Sequence, residues 1–299
     1  MLSKPGTIES NPLHAAFYAD CAIQCRVPIV ENVRLARDTY RVRLECPEIA
    51  GRVVPGQFIM LRLSGVDDPL LGRPLALYDT VPNESGAPTY VDVVYLVLGK
   101  MTGRLAKYSP GDALEMWGPL GNGFPLLPTQ HLIMVAGGIG QTPFYALGQE
   151  YLGLREYGNP SRAIGTPARV TICYGVRSAE YLAGVPDFTS AGFDVRLSSD
   201  DGTVGHHGYI TEPLRNLLDQ TQGEERLVVC CGPEPMMAAT AQLCKAAGVR
   251  CLVSLETPMA CGIGICFSCV TKVRQAEGGW DYKRTCVEGP VFDAADIEW

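Results

Sequence analysis

Hydrophobic and polar positions change their rhythm twice along the chain. From Val27 to about Trp117, short apolar or alternating runs (Arg41–Glu45, Gln57–Leu63, Tyr90–Leu98, Ala113–Trp117) are separated by turn pairs such as Pro55-Gly56 and Pro110-Gly111. Runs of this length at short spacing predict a small antiparallel β-barrel or sandwich. After Gly118-Pro119-Leu120-Gly121-Asn122-Gly123-Phe124 the rhythm becomes strand and helix in turn. His131–Ala136, Val170–Tyr174, Asp194–Ser198 and Arg226–Cys231 read as buried strands, with helical stretches at Thr142–Glu156, Ile210–Gln220 and Glu234–Ala247. Such alternation predicts a parallel sheet with crossover connections. The last fifty residues set a cysteine cluster on glycine-rich loops. The expected organisation is an N-terminal extension (1–25), an antiparallel β-barrel (26–126), an α/β domain with a parallel sheet (127–248) and a small C-terminal module (249–299).

Composition removes several function classes. The 299 residues are 46% hydrophobic and 19% charged, which is globular and not disordered. A net charge of −7 with no basic block argues against nucleic acid as a partner. No apolar stretch reaches the ~20 residues needed to span a bilayer. Asp20 interrupts the apolar patch at Ala15–Tyr18, so neither a membrane span nor a signal peptide is expected and the chain reads as cytoplasmic. In that compartment twelve cysteines do not form a disulfide framework. Eight are scattered through apolar segments and read as small buried hydrophobes.

The other four, Cys261, Cys266, Cys269 and Cys286, follow the spacing C-x4-C-x2-C-x16-C. Four thiolates suit zinc or an iron–sulfur cluster. Structural zinc sites usually present two close pairs, whereas here the fourth cysteine stands alone. A C-x4-C-x2-C run with a distant fourth Cys is the plant-type [2Fe–2S] arrangement, so the spacing favours [2Fe–2S] over zinc. The intervening glycines leave backbone N–H groups free to turn toward cluster sulfurs.

Two barrel segments carry anion-binding chemistry. Arg73, held by the following Pro74, can present a rigid fork to a pyrophosphate oxygen. Gly99-Lys100-Met101-Thr102-Gly103 offers backbone donors and a hydroxyl at a strand-to-helix transition. Taken singly, Arg73 reads more simply as a surface ion-pair residue and Thr102 as a helix cap. In the α/β domain, Gly137-Gly138-Ile139-Gly140 follows a strand and frees backbone N–H groups for dinucleotide phosphates, although such a turn also serves simply to pack strand on helix. Asp200 and Asp201 would favour ribose hydroxyls over a 2′-phosphate, while Arg177 points the other way; the balance leans to NAD. His206 and His207 read as solvated loop residues.

The order R-P-x-x, G-x-x-T-x-x-L, G-P-x-G-x-F resembles the ferredoxin–NADP reductase superfamily, whose members bind FAD in a six-stranded barrel and a nicotinamide nucleotide in the following sheet. The resemblance implies FAD contacts at Arg73, Pro74, Leu75 and Ala76, near Tyr95 and Leu96, and at Thr102 and Gly103. Ala76 departs from the Ser or Thr common at that position, so its bond to the flavin edge is missing or supplied by backbone. The resemblance also sets Cys231-Gly232-Pro233 beside the nicotinamide. That makes Cys231 the candidate catalytic residue, the alternative being a buried residue at a strand end. Gly137, Gly138 and Gly140 would hold the dinucleotide.

The cysteine module narrows the family. M-A-C-G-I-G-x-C-x-x-C with Y-K-R-x-C-x-x-G-P-V-F-D is similar to the electron-transfer subunits of NAD-dependent dihydroorotate dehydrogenases, over about residues 26–299. That similarity implies FAD and a [2Fe–2S] cluster as cofactors and NAD as substrate. It also implies an FMN-containing, dihydroorotate-oxidising catalytic subunit as partner in a heterotetramer serving pyrimidine biosynthesis. The alternative is a reductase subunit of another complex: a bifurcating transhydrogenase, a sulfhydrogenase or an oxygenase system. Cys261 argues against the transhydrogenase type, which tends to carry Asp there. A colourless, zinc-stabilised binding module is the reading from outside the enzymes.

Overall fold

The computed structural model describes residues 19–299. Six strands close a barrel: β1 (Ile23–Ala36), β2 (Thr39–Glu45), β3 (Phe58–Leu63), β4 (Arg73–Pro82), β5 (Pro88–Leu96) and β6 (Ala113–Leu120). Their order is β1-β2-β5-β4-β3-β6, every pair antiparallel. Alternate residues such as Val42 and Leu44, Val91 and Val93, Leu114 and Met116 point inward and are fully buried, as the period of two requires. Two short helices, α1 (Pro47–Ala50) and α2 (Lys100–Leu105), fill connections.

The barrel differs from the sequence expectation in two places. Strand β1 begins at Ile23, inside the segment taken as an extension, because Ile23, Gln24 and Cys25 pair with Gly118, Trp117 and Met116 of β6. The remainder of that extension, residues 1–18, lies outside the described residues. The Arg73–Tyr78 segment, which follows β3, is itself a strand that the apolar runs did not include. Pro74 disguises it, since proline removes a ladder donor, yet it sits in register opposite Met60 of β3.

The second unit is a seven-stranded sheet ordered β10-β9-β8-β7-β11-β12-β15. Its strands are β7 (His131–Gly137), β8 (Arg169–Val176), β9 (Asp194–Ser199), β10 (His206–His207), β11 (Arg226–Cys231), β12 (Arg250–Ser254) and β15 (Val291–Asp293). Helices α3 (Phe144–Tyr151), α4 (Val185–Ser190), α5 (Thr211–Gln220) and α6 (Glu234–Ala246) connect or cover them. All pairs are parallel except β12–β15. Helix α3 is shorter than its apolar pattern suggests, giving way to Gly153 at φ +69. The sheet also runs past residue 248. Arg250–Ser254 follows α6 through Gly248 at φ +65 and completes a crossover onto β11, although its sequence position placed it in the C-terminal module. That module adds β15 as an antiparallel edge and keeps only the hairpin β13 (Val270–Arg274) and β14 (Trp280–Arg284) to itself.

Buried polar contacts lock the units together. Asp79 of β4 accepts from Tyr157 at 2.7 Å and pairs with Arg155 at 3.1 Å, and Tyr78 donates to Asp187 of α4 at 2.6 Å. On the other side, Trp117 Nε1 of β6 donates to the Cys261 carbonyl at 3.0 Å, and Asn122 bonds both ways with Val291. Among the described residues no helix is long and apolar enough to cross a membrane.

Candidate active site

The locks leave one cleft of about 590 Å³ where barrel, sheet and cysteine module meet. This is within the 300–1,000 Å³ usual for cofactor pockets. The barrel contributes Arg73–Ala76 from β4, Tyr95 and Leu96 from β5, and Thr102 from α2. The sheet contributes Ile139 and Thr142 from the turn after β7, and Cys231 and Ser254 from the ends of β11 and β12. Glu256 to Met259 and Pro290 come from the cysteine module. The carboxyl ends of parallel strands are where open α/β sheets bind ligands.

The residues singled out by sequence are used unequally. Arg73 Nη1 donates to the carbonyls of Leu71 and Gly72, both at 3.0 Å, which fixes the guanidinium and leaves the rest of its fork free among the described residues. The Thr102 hydroxyl accepts from Leu98 and Gly99 N–H groups at 3.1 and 3.2 Å, so it caps α2. The Tyr95 side chain turns from the cleft into the barrel, where its hydroxyl donates to Asn32 at 3.0 Å. Gly103 lies within α2, off the cleft wall.

The glycines divide by role. A Cβ on Gly140 would lie 2.3 Å from the Cys231 carbonyl oxygen, and one on Gly137 would lie 2.7 Å from both Met236 and Pro233. Gly232, at φ +151, returns the approach, since its Cβ would meet the Gly137 nitrogen at 2.9 Å. These three let the turns after β7 and β11 pack backbone against backbone, with Pro233 starting α6. Gly138 differs: it has φ +55 and open space around its Cα.

Cys231 is buried at the cleft floor, and desolvation, reinforced by the nearby Glu256 carboxyl, pushes its thiol well above the ordinary range. It is therefore a neutral thiol at neutral pH. Glu256 went unnoticed in the sequence because a lone Glu after an apolar strand carries no pattern. It is accessible from the cleft, flanked by protein, and without a hydrogen-bond or ion-pair partner among the described residues; this partial loss of water raises its carboxyl pKa. His206 and His207 form a two-residue edge strand away from the cleft, with His206 3.1 Å from Glu212.

The cysteines fall into two pairs. Cys269 and Cys286 are buried with their sulfurs 3.1 Å apart, and Cys261 is near enough to Cys266 to help lower its thiol. The Ser268 hydroxyl, 3.2 Å from Cys266, brings that thiol down to about 6, while the sulfur contact holds Cys269 down to about 6 and Cys286 up. Gly262 and Gly264 take φ +74 and +83, and the Ile263 N–H donates to Cys261 Sγ at 3.4 Å. Among the described residues no three side chains converge on one point as a single ion requires. Two pairs of thiols, one member of each held low, beside a backbone N–H turned to Cys261 fit a cluster of two irons, each held by two thiolates.

Comparison with known proteins accounts for all three units. Residues 26–124 match the oxidoreductase FAD-binding domain, 134–242 the oxidoreductase NAD-binding domain, and 256–298 the iron–sulfur cluster binding domain of dihydroorotate dehydrogenase B. The chain is 34% identical over 266 residues to the electron transfer subunit of dihydroorotate dehydrogenase B (NAD(+)) of Desulforamulus reducens, covering 89% of this chain and 94% of that one. The chain belongs to this electron transfer subunit family. The Fusobacterium nucleatum subunit is 32% identical over 286 residues, 93% of this chain and 98% of its own. Among solved structures, an NADH-dependent reduced ferredoxin–NADP oxidoreductase studied for electron bifurcation superposes with a TM-score of 0.75 at 26% identity, over 91% of this chain and 90% of that one. Phthalate dioxygenase reductase, at TM-score 0.57 and 19% identity over 88% and 94% of the two chains, shares the fold. This electron transfer subunit is thus an oxidoreductase with FAD-binding, NAD-binding and iron–sulfur domains arranged around one cleft.

Proposed function

We propose that the chain passes electrons from an FMN-containing, dihydroorotate-oxidising subunit through a [2Fe–2S] cluster and FAD to NAD⁺, in a cytoplasmic heterotetramer that serves pyrimidine biosynthesis. The observation that carries this is the single cleft in which Arg73–Ala76, Cys231 and Met259, beside the cysteine loop, face one another. FAD held there would supply hydride exchange with a nicotinamide and single-electron exchange with the cluster. Arg73 and the backbone N–H groups opening α2 hold the flavin's pyrophosphate, and backbone at Ala76 replaces the missing hydroxyl. Gly138, the unobstructed glycine, admits the dinucleotide phosphates. The neutral Cys231 thiol packs against the reacting ring and excludes water, and the Glu256 carboxyl lines the cleft beside it. Cys261, Cys266, Cys269 and Cys286 hold the cluster.

The partner docks at the cluster's outer rim. Cys266 is exposed there between Ile265 and Phe267, which are 68% and 60% exposed, and Trp280 and Tyr282 of the hairpin are exposed as well. Aromatic residues open to solvent near a redox centre suit a protein interface. Mixing the chain with the FMN subunit should give dihydroorotate-dependent NADH formation that neither performs alone. Equal activity by the FMN subunit without this chain would refute the proposal.

A further inference from the structure

Arg284 closes β14 two residues before Cys286 and is 8% exposed. Its Nη1 donates to the Gly264 carbonyl at 3.0 Å, and its guanidinium lies 5.0 Å from the centre of the Phe267 ring. One side chain thereby grips both halves of the cysteine loop, between Cys261 and Cys266 and between Cys266 and Cys269. Both gripped residues need support. Phe267 sits at φ +57, a left-handed conformation that is strained for a bulky side chain. Gly264 sits at φ +83, in the left-handed region.

Glu288 anchors the arginine. Its Oε2 accepts from Arg284 Nε at 3.3 Å and from the Arg284 backbone N–H at 2.8 Å, while Lys283 lies 3.4 Å from Oε1. Two cations thus meet one carboxylate, leaving positive charge beside the sulfurs. A one-electron acceptor gains negative charge on reduction, so fixed positive charge and N–H···S bonds both favour the reduced form.

We propose that Arg284 is a positioning residue that holds the cysteine loop in its ligating shape and raises the reduction potential of the cluster, with Glu288 as its counterweight. This rests on the assignment of the four cysteines as cluster ligands. Among the described residues Arg284 alone joins the Gly264 carbonyl to Glu288, so a change there should be felt in the potential as well as in cluster retention.

The test is an anaerobic potentiometric titration of the full-length holoprotein, followed by the electron paramagnetic resonance of the reduced cluster, with the FAD midpoint as internal control. Arg284→Gln should shift the cluster's reduction equilibrium about tenfold toward the oxidised form, which is about 59 mV for one electron. Glu288→Gln should shift it the opposite way, Arg284→Lys should fall between wild type and Arg284→Gln, and the FAD midpoint should not move. A cluster equilibrium within twofold of wild type in Arg284→Gln, or movement of both variants in one direction, would overturn the proposal. If Arg284→Gln loses its iron, Glu288→Gln decides by the same sign. A wild-type chain that carries iron–sulfur but gives no reducible signal would refute the ligand assignment itself, separately from the role of Arg284.

Discussion

The cysteine module and the nucleotide cleft adjoin each other but are built on different terms. The module draws its four sulfurs from one stretch of 26 residues, and side-chain identity defines the site. The cleft draws on β4, β5, α2, the ends of β7, β11 and β12, and the segment after β12. Much of what it offers a ligand is backbone, exposed by glycines and strand ends. Thiolate ligation tolerates no substitute at a given position, whereas a backbone surface depends on how closely distant segments approach.

The largest effect should therefore come from a ligand. Cys266→Ser should lower electron transfer to the partner by roughly 100-fold or more while leaving NADH-driven FAD reduction intact, read by stopped-flow absorbance. Parallel loss of both would erase the distinction between the two regions. Next, Arg73→Ala removes a charge-assisted contact of about 1.5–3 kcal/mol, so FAD affinity should fall tenfold or more by fluorescence titration. An unchanged affinity would return Arg73 to the role of a surface residue.

The glycines sharpen the contrast within the cleft. Gly140→Ala drives a Cβ to 2.3 Å from the Cys231 carbonyl, and overpacking of about 1–3 kcal/mol should slow NADH-driven FAD reduction about tenfold. Gly138→Ala meets no such wall, so its effect should stay within a few-fold and reflect only the cost of φ +55. Equal effects would mean that packing does not shape the nucleotide side. The smallest change belongs to Glu256. Its pKa is raised, so it is neutral at low pH and becomes anionic as pH rises above the ordinary Glu range. NAD⁺ binding should tighten a few-fold through that transition, because an anion there faces the positive nicotinamide ring. Glu256→Gln should flatten this dependence in a binding titration across pH.

The same contrast explains what could be read from sequence. The four cysteines and their chemistry are visible in spacing alone, as are the barrel and the parallel sheet in their periods. Strand β4 was hidden by Pro74, and β12 by its place next to the cysteine module. Glu256 was hidden because its role comes from a cleft that forms only after three segments meet. Thr102 shows the opposite limit, since the residue type suits an anion site and a helix cap alike, and its hydroxyl is engaged in the cap. The packing of Gly140 on Cys231 joins residues 91 positions apart, which no local pattern reports.

The most direct test of the central claim is an anaerobic NADH titration of the purified chain, monitored by visible absorbance and with iron, sulfide and zinc content measured. The account predicts flavin and iron–sulfur absorption together, both bleached by NADH, with two irons and two sulfides per chain. Zinc without colour, or flavin bleaching with no cluster to receive the electrons, would contradict it.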